Sequence, residues 1–331
     1  MEQQRVRIVD IAEELGLSTA TVSNVIHGKT QKISDETVKR VQALLEERQY
    51  VPSMAGILLA QNSSRIIGVF INDHEKYEGR TLEDAFIASS LNYLSREIEQ
   101  RGLFMMVKRA KDSDEILRFA SMWNLDGLVV LGFCEQDYND LRDRIRIPFV
   151  VYDGICSEPR RFVNITIDNY DGGRQVGVLL RQKGHRRAVC IADNQEGCDI
   201  QRIQGFQTGF APGQIETLIV PMCKAERMNF YEKNLERLLG ATAVFAVSDH
   251  YAIDLMSFLY EKGIAVPQRM AVAGFDDIPL CEMTCPPLTT IRQDGALRAK
   301  LALENLEALR TGSQPGATLT VPVTLVQRKS C

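Results

Sequence analysis

The sequence predicts an α/β protein in which two lobes with parallel sheets follow a small all-helical domain. Short helical patterns occupy the first fifty residues. From residue 65 onward, apolar segments of strand length alternate with amphipathic helices, which is typical of parallel sheets covered on both faces. About nine such strands are too many for one sheet of ordinary size, so we expect two lobes.

The composition is that of an ordinary globular protein. The chain has 331 residues, of which 45% are hydrophobic and 25% charged, with a formal net charge of −4. It contains no apolar run of about 18 residues, so we expect no membrane span. The polar amino terminus is unlike a signal peptide, and we expect a cytoplasmic protein. The net acidity argues against non-specific coating of nucleic acid but leaves room for a small, specific DNA-binding module.

The cysteines do not form a metal-site pattern. There are eight of them and only four histidines, and no CxxC pair occurs. Together with the absence of an export signal, this favours reduced thiols over disulfides or zinc ligands. We therefore expect neither a metal nor a cofactor.

Three short helices are predicted at the amino end. RIVDIAEELG has one apolar face, and Gly16 ends this helix. Ser18 is the expected N-cap of a second helix that runs to Ile26, and Gly28 follows it. Ser34 is the expected N-cap of the third helix, SDETVKRVQALLEERQY.

The rest of the chain alternates between strands and helices in two series, with a break near the basic segment PRRFVN. The first series has the strands RIIGVFI (65–71), FMMVKR, GLVVLGF and PFVVYDG, with helices over 80–102, 113–124 and 135–144. The second has NITIDN (164–169), AVCIAD, TLIVPM, AVFAVSD and MAVAGFDD, with helices over 170–184, 198–210, 225–240 and 250–263. A helix over 295–310 and the segment TLTVPVTLVQRKS complete the chain. We interpret the glycine-rich GGRQVG (172–177) as helix packing.

The first two helices match a helix-turn-helix, whose second helix enters the DNA major groove. Hydroxyls, a small alanine and an amide on that helix suit base edges and phosphates. These side chains are Ser18, Thr19, Ala20, Thr21, Ser23 and Asn24. The alternative is a serine-capped helix in a helical domain without a DNA function.

Longer segments make the resemblance specific. IVDIAEELGLSTATVSNVIHG and KISDETVKRVQALLEERQYVPSMAGILLA, then KGHRRAVCI, AVSD and VAGFDD followed by CPPLTTIRQD, resemble the LacI/GalR family of bacterial repressors over roughly residues 6–328. The resemblance implies a headpiece before two Rossmann-like lobes similar to periplasmic sugar-binding proteins. We expect the headpiece at 1–51, a hinge helix and linker at 52–63, the amino-terminal lobe at 64–162 plus 291–318, and the carboxy-terminal lobe at 163–290 plus 319–331.

The resemblance also implies further DNA contacts. The family's hinge helix inserts a leucine into the minor groove, and that position falls on Leu59. Alternatively, Leu59 covers the core lobe. Gly56-Ile57 departs from the family's usual Ala-Arg, which removes a positive charge and weakens the hinge helix. Asn24 and His27 stand where relatives often carry Arg and Asn, so the operator sequence is not readable.

A ligand cleft is expected where the strand ends of the two lobes face each other. Its candidate residues are Asn72, Asp73, Phe133, Asp168, Arg202, Ser248, Asp249 and Asp276. The resemblance matches Arg202 and Asp276 with the family's grip on polar effector groups, and Ser248 and Asp249 with another contact pair. For each residue the alternative is a structural turn or an interlobe salt bridge. Lys224, where relatives often have an aromatic nearby, suggests a phosphorylated or acidic ligand as a weaker hypothesis.

These features predict a transcriptional regulator controlled by a small sugar-like or related metabolite. We expect a homodimer on a pseudo-palindromic DNA operator. The chain ends at Cys331 without a leucine heptad, which predicts dimers rather than tetramers. It has no P-loop, GxGxxG after a strand, GxSxG or HExxH, so we expect no enzyme. The strongest alternative is a sugar-binding protein without a DNA function.

Overall fold

The computed structural model describes residues 6–50, 63–313 and 315–331. The chain divides into two compact units, Met1–Ser64 and Arg65–Cys331. We describe the two units separately and call them the headpiece and the core. No helix in the described ranges combines the length and the apolar character needed to cross a membrane.

The headpiece consists of three helices around one small apolar core. They are α1 (Ile8–Leu15), α2 (Thr19–Ile26) and α3 (Asp35–Glu47). Their buried side chains are Ile11, Ala12, Val22, Val25, Val41 and Leu44. Gly16 ends α1 with φ at 65°, a left-handed conformation that glycine adopts without strain. Ser18 and Ser34 cap α2 and α3 with their side chains, as the sequence predicts.

The core contains the alternating strands and helices that the sequence predicts. Its helices are α4 (Ala85–Gln100), α5 (Ser113–Trp123), α6 (Glu135–Arg144), α7 (Asn169–Gln182), α8 (Gly197–Phe210), α9 (Lys224–Lys233), α10 (Leu235–Leu239), α11 (Asp249–Glu261) and α12 (Gly295–Arg310). Its strands are β1 (Ile66–Asn72), β2 (Phe104–Ala110), β3 (Gly127–Leu131), β4 (Phe149–Tyr152), β5 (Val163–Ile167), β6 (Arg187–Ala192), β7 (Gln214–Ile219), β8 (Ala243–Ala246), β9 (Ala271–Ala273), β10 (Thr290–Gln293), β11 (Ala317–Val321) and β12 (Val323–Val326).

Two parallel sheets define the two lobes of the core. The first lobe has the strand order β11-β5-β4-β3-β1-β2, and the second has β7-β6-β8-β9. A separate antiparallel pair joins β10 to β12. The chain passes from the first lobe to the second after β5, returns through α12 to β11, and passes again to β12. This arrangement confirms the predicted α/β class with two parallel-sheet lobes.

The predicted boundary between the lobes at 162/163 is wrong. Strand β5 pairs in parallel with β4, with Val150 opposite Val163, and so belongs to the first sheet. The loop between these strands is fixed by Asn164, whose side chain accepts a hydrogen bond from Gly154 N and donates one to Gly154 O. The basic segment before β5 is therefore a return within one lobe, and the first crossing lies at α7.

Two predicted helices also differ from the structure. The predicted helix over 80–102 begins at Ala85, where Asp84 caps it, and short 3₁₀ turns precede it. The predicted helix over 225–240 is two helices, which meet at Asn234. The Asn234 side chain donates to Phe230 O, one turn back, which is a local bond that competes with continuous helix.

Glycines allow α7 and α8 to pack with their backbones in close contact. A Cβ added to Gly173 would lie 2.0 Å from Arg202 O, and one added to Gly205 would lie 1.8 Å from Tyr170 O. Gly177 and Gly209 show the same crowding one turn further along each helix. The prediction that GGRQVG serves helix packing is confirmed. This contact places Arg202 beside the first turn of α7.

Candidate DNA-binding and ligand-binding sites

Helix α2 presents a polar face to solvent on the headpiece. Thr19, Ala20 and Asn24 are exposed, whereas Val22 and Val25 are buried on the opposite face. Small polar residues on the outside of a helix-turn-helix can approach base edges closely. The face therefore has the geometry and the chemistry that the sequence predicts for a recognition helix.

The other predicted contacts of this helix are partly engaged within the headpiece. Ser18 Oγ accepts from Thr21 N at 3.1 Å and lies 2.9 Å from Thr21 Oγ1. Ser23 and His27 are half-buried, and His27 is the C-cap of α2. Ser18 thus caps the helix in addition to any contact with DNA. Leu59 lies outside the described residues.

In the core, Arg202 and Asp276 lie together where the sequence places the ligand cleft. Arg202 Nη1 is 3.7 Å from Asp276 Oδ1, and only 8% and 11% of the two side chains are exposed. Arg202 Nε donates to Asn169 Oδ1 at 2.8 Å, and Nη1 donates to Val247 O at 2.7 Å. The guanidinium also stacks 3.9 Å from the ring centre of Phe275. The arginine is fixed in orientation, with its charge next to Asp276.

The protonation of Asp276 depends on burial. It raises the pKa of Asp276 well above the usual value for an aspartate, and the nearby Arg202 opposes this rise. Asp276 also accepts a hydrogen bond from Gln293 Nε2 at 2.6 Å. A carboxyl group in this environment can form hydrogen bonds with a polar ligand, because the neighbouring Arg202 compensates any negative charge that it carries.

Asp249 is not available to a ligand, contrary to the sequence-based prediction. It is fully buried. Its Oδ1 accepts from Thr290 Oγ1 at 2.6 Å, and its Oδ2 accepts from Ile278 N at 3.1 Å and from Cys281 Sγ at 3.0 Å. Both oxygens therefore tie α11 to the segment after β9. Ser248 caps the same helix, since its hydroxyl accepts from Tyr251 N.

Phe133 and Asp168 also have structural surroundings. Phe133 is 7% exposed and packs in the apolar core of the first lobe with Tyr138 and Phe162. Asp168 caps α7, and its Oδ1 accepts from Asp171 N at 2.8 Å. Phe133 therefore contributes to the core, and the carboxylate of Asp168 is engaged at the helix terminus; a ligand contact of either residue stays a prediction.

Asn72 and Asp73 lie at the end of β1, and both side chains have partners there. Asn72 Nδ2 donates to Gly132 O at 2.8 Å. Asp73 Oδ1 accepts from Thr81 Oγ1 at 2.6 Å and from Arg109 Nη1 at 3.2 Å. Asp73 lines a separate surface cavity of about 350 Å³ beside β2, whose lining does not include Asp276. Lys224 is paired with Asp254 at 3.3 Å, which weakens its role as a ligand cation.

The structure adds a pair of acidic residues, Asp193 and Asp199, which sequence reasoning missed. Asp193 Oδ2 accepts from Tyr251 Oη at 2.7 Å, and Asn194 Nδ2 lies between the two carboxylates at 2.7 and 3.2 Å. Burial raises the pKa of Asp199 to about 7, and the Arg202 charge opposes the rise. Burial also acts to raise the pKa of Asp193, but hydrogen bonds from Asp199 and Tyr251 outweigh it, so this pKa is lowered.

Asp153 directly follows β4 and is the residue of the first lobe that lies next to the start of α8. Cys198 Sγ lies 4.0 Å from Asp153 O, which joins the start of α8 to the other lobe. Asp153 Oδ1 lies 3.4 Å from Arg298 Nη2. Asp153 and Asp193 both follow buried strands directly, so the reasoning applied to the other strand ends could have found them.

Comparison with known proteins identifies two domains in the chain. Residues 7–53 match the family model described as bacterial regulatory proteins, lacI family, and residues 179–331 match the model described as a periplasmic binding protein-like domain. The chain therefore contains a lacI-type helix-turn-helix domain and a periplasmic-binding-protein-like domain.

Curated relatives match this chain along nearly its whole length. It is 28% identical to the HTH-type transcriptional repressor PurR of Mannheimia succiniciproducens, over 98% of each chain. It is 26% identical to the HTH-type transcriptional regulator CelR of Thermobifida fusca, over 98% of this chain and 97% of that one.

Solved structures share its fold. The lac repressor dimer bound to operator and the anti-inducer ONPF matches with a TM-score of 0.83 at 22% identity, over 99% of each chain. A CelR–cellobiose complex matches with a TM-score of 0.71 at 23% identity, over 99% of this chain and 100% of that one.

Proposed function

We propose that this protein is a lacI-family transcriptional repressor whose affinity for an operator depends on a small polar metabolite bound between the core lobes. Two headpieces of a homodimer would bind the half-sites of a pseudo-palindromic operator. A regulator of this kind acts in the cytoplasm, and we propose a binding role rather than a catalytic one.

The observation that carries this proposal is the Arg202–Asp276 pair. Its two side chains are almost completely buried between elements of the core, yet they place a guanidinium next to a carboxyl group and offer several directed hydrogen-bonding groups. Arginine and carboxylate groups each hold two ligand oxygens at once, which suits a polyhydroxylated compound. The similar solved structures are complexes with an anti-inducer and with cellobiose, which supports a sugar or sugar derivative here.

The proposed DNA contacts are those of α2, with Leu59 of the hinge as a further contact. The exposed Thr19, Ala20 and Asn24 support the first part. Ligand binding would change the relative arrangement of the lobes, and such coupling between two sites is typically about 1–3 kcal/mol. The coupling is reciprocal, so DNA would change the affinity for the ligand by the same factor.

The proposal is tested by operator binding with and without a ligand. Duplexes selected from random sequence serve as the DNA, and a thermal-shift screen of sugars and sugar derivatives identifies the ligand. The expected result is a ligand that raises the melting temperature and changes the operator affinity by about 5- to 150-fold. A ligand that binds the core while no duplex is ever bound would instead indicate a binding protein without a DNA function.

A further inference from the structure

A cavity of about 370 Å³ extends from Asp276 towards the first lobe. Ser90 and Tyr93 of α4 line one side, and Gln293 and Arg298 line the other, with Tyr152 at the end of β4. This volume lies within the range of small-molecule sites, which is about 300–1,000 Å³. The cavity therefore continues the proposed ligand cleft and has room for part of a small metabolite.

Arg298 is the unusual residue of this cavity. It is 1% exposed, yet its Nε and Nη2 have no hydrogen-bond partner in the described part of the chain. Nη1 donates to Gln293 Oε1. The nearest carboxylate oxygen, Asp153 Oδ1, lies 3.4 Å from Nη2 without forming a hydrogen bond. Unpaired buried donors of a charged group are costly, so this arrangement calls for a partner.

The two unpaired nitrogens belong to the same edge of the guanidinium. That edge presents two parallel N–H groups, which match the two oxygens of a carboxylate or phosphate. The ring centre of Tyr152 lies 4.2 Å from the Arg298 guanidinium carbon, so the ring packs against the guanidinium. Two buried donor groups on one edge of Arg298 thus lie beside the cavity.

The acidic residues of the cavity already have partners. Asp277 is paired with Arg292 at 2.6 Å and with Arg328 at 2.7 Å. Asp276 is next to Arg202 at 3.7 Å and accepts from Gln293. An anion that enters the cavity therefore meets carboxylates whose charge is compensated, while Arg298 has one carboxylate, that of Asp153, within 4 Å in the described part of the chain.

The start of α12 adds to this environment. Gly295 begins the helix, and a Cβ at this position would lie 2.5 Å from Tyr93 Cδ2, so glycine lets the tyrosine pack against the helix terminus. Arg298 follows in the first turn. The helix terminus itself is capped by Asp294, whose Oδ1 accepts from Leu297 N at 2.9 Å, so the positive charge offered to an anion here is that of Arg298.

We propose that this cavity binds the anionic group, a carboxylate or a phosphate, of the metabolite that controls the regulator, and that the Nε–Nη2 edge of Arg298 is its docking point. The inference rests on the proposed function, because it places the rest of the same ligand against Arg202 and Asp276. It narrows the ligand from a polar metabolite to a sugar acid, a sugar phosphate or a compound with equivalent groups.

The test uses the full chain and two simple anions, inorganic phosphate and acetate. Isothermal titration calorimetry at constant ionic strength, held with chloride, measures their binding to the wild type and to Arg298→Gln. Saturable binding of one or both anions is expected, with a loss of about tenfold or more in the variant. Phosphate alone would indicate a phosphorylated ligand, and acetate alone a carboxylate. Absence of saturable binding to the wild type would overturn the inference.

Two further variants keep the test informative if Arg298→Gln fails to fold. Ser89→Leu fills part of the cavity while Arg298 stays in place, and it is expected to abolish anion binding. Arg144→Gln removes an exposed surface arginine and is expected to leave anion binding unchanged. Anion binding that survives Ser89→Leu, or that is lost equally in Arg144→Gln, would overturn the assignment to this cavity.

A purely structural role for Arg298 gives a different result. If the Asp153–Arg298 pair only stabilised the fold, Arg298→Gln would lower the melting temperature in the absence of anions. We expect little change there, and a loss of the additional stabilisation that anions give the wild type. Operator binding measured on the same preparations separates the two proposals. If the wild type does not bind the anions but its operator binding still depends on a ligand, only this inference is overturned. If it binds the anions but no operator DNA, the proposed function is overturned.

Discussion

Arg202 Nη1 lies 3.7 Å from Oδ1 of Asp276, and the backbone oxygen of the same arginine lies against Gly173 of the neighbouring helix. The candidate ligand site and the closest helix contact of the core therefore share one residue. The geometry of the site depends on how closely α7 and α8 approach, and its charge depends on Asp276.

Asp276→Asn is expected to abolish the ligand response and to preserve the fold and operator binding. The amide keeps the shape and can still accept from Gln293, but it removes the charge that faces Arg202. Operator titrations with and without ligand measure the effect. Asp114→Asn, at an exposed ion pair of the first lobe, is the control and is expected to respond like the wild type. Loss of operator binding by a folded Asp276→Asn protein would contradict the assignment.

Gly205→Ala is expected to destabilise the core by about 1–3 kcal/mol, because the new methyl group would collide with a backbone carbonyl of α7. The two helices must separate, and Arg202 moves with them, so ligand affinity falls as well. Urea unfolding and ligand titration measure the two effects. Gln204→Ala, at an exposed position of the same helix, is expected to change neither quantity. Equal stability of Gly205→Ala and the wild type would contradict the close approach of α7 and α8 at this position.

The acidic pair predicts a pH-dependent stability. Because the pKa of Asp199 is raised from 3.8 to about 7, the folded protein holds a proton that the unfolded chain has already lost in this range. Through this group, the free energy of unfolding falls as the pH rises from about 4 to about 7. Asp199→Asn is always neutral at this position and is expected to be more stable than the wild type at pH above 7.

The measurement is the urea midpoint of wild type and Asp199→Asn at pH 5 and at pH 7.5. The advantage of the variant should be clearly smaller at pH 5 than at pH 7.5, because the loss of stability through Asp199 accumulates from about pH 4 to about pH 7. Asp114→Asn serves again as the exposed control. The same difference at both pH values would mean that Asp199 is ionised throughout.

Asn24→Ala tests the recognition helix. If the exposed amide contacts a base, its loss should weaken binding to the selected operator by about 1–3 kcal/mol and relax the preference at one base pair. Gln42→Ala, exposed on α3, is the control. Binding to unrelated duplex should be unchanged in both variants. A uniform loss on all sequences would instead indicate a phosphate contact.

Leu59→Ala tests the hinge. An apolar wedge between base steps stabilises only the bent, specific complex, so its loss should weaken operator binding far more than non-specific binding. Band-shift titrations on both kinds of duplex give the two affinities. Similar losses on both would favour a leucine that covers the core instead.

The sequence predicts the two-lobed α/β class because the buried strands are nearly continuous apolar runs that alternate with helices. It does not assign β5 to its lobe, since a strand pattern contains no information on which neighbour it pairs with. Here the partner is set by register against β4 and by the Asn164–Gly154 hydrogen bonds.

The sequence predicts only part of the candidate site, because a strand pattern does not show which side chains meet in the folded chain. Polar residues after strands point to the sheet edge, and this identified Asp276. The same pattern does not show which side chains turn inward to satisfy buried backbone groups, as Asp249 does. Arg298 lies on a helix that returns from the other lobe, so nothing in its local sequence links it to the cleft.

The most direct test of the account is a selection of duplex DNA from random sequence by the purified protein at low salt, with and without the candidate ligands. The account predicts enrichment of a pseudo-palindromic site whose binding depends on α2 and changes when a ligand occupies the core. Recovery of unenriched DNA under every condition would contradict it.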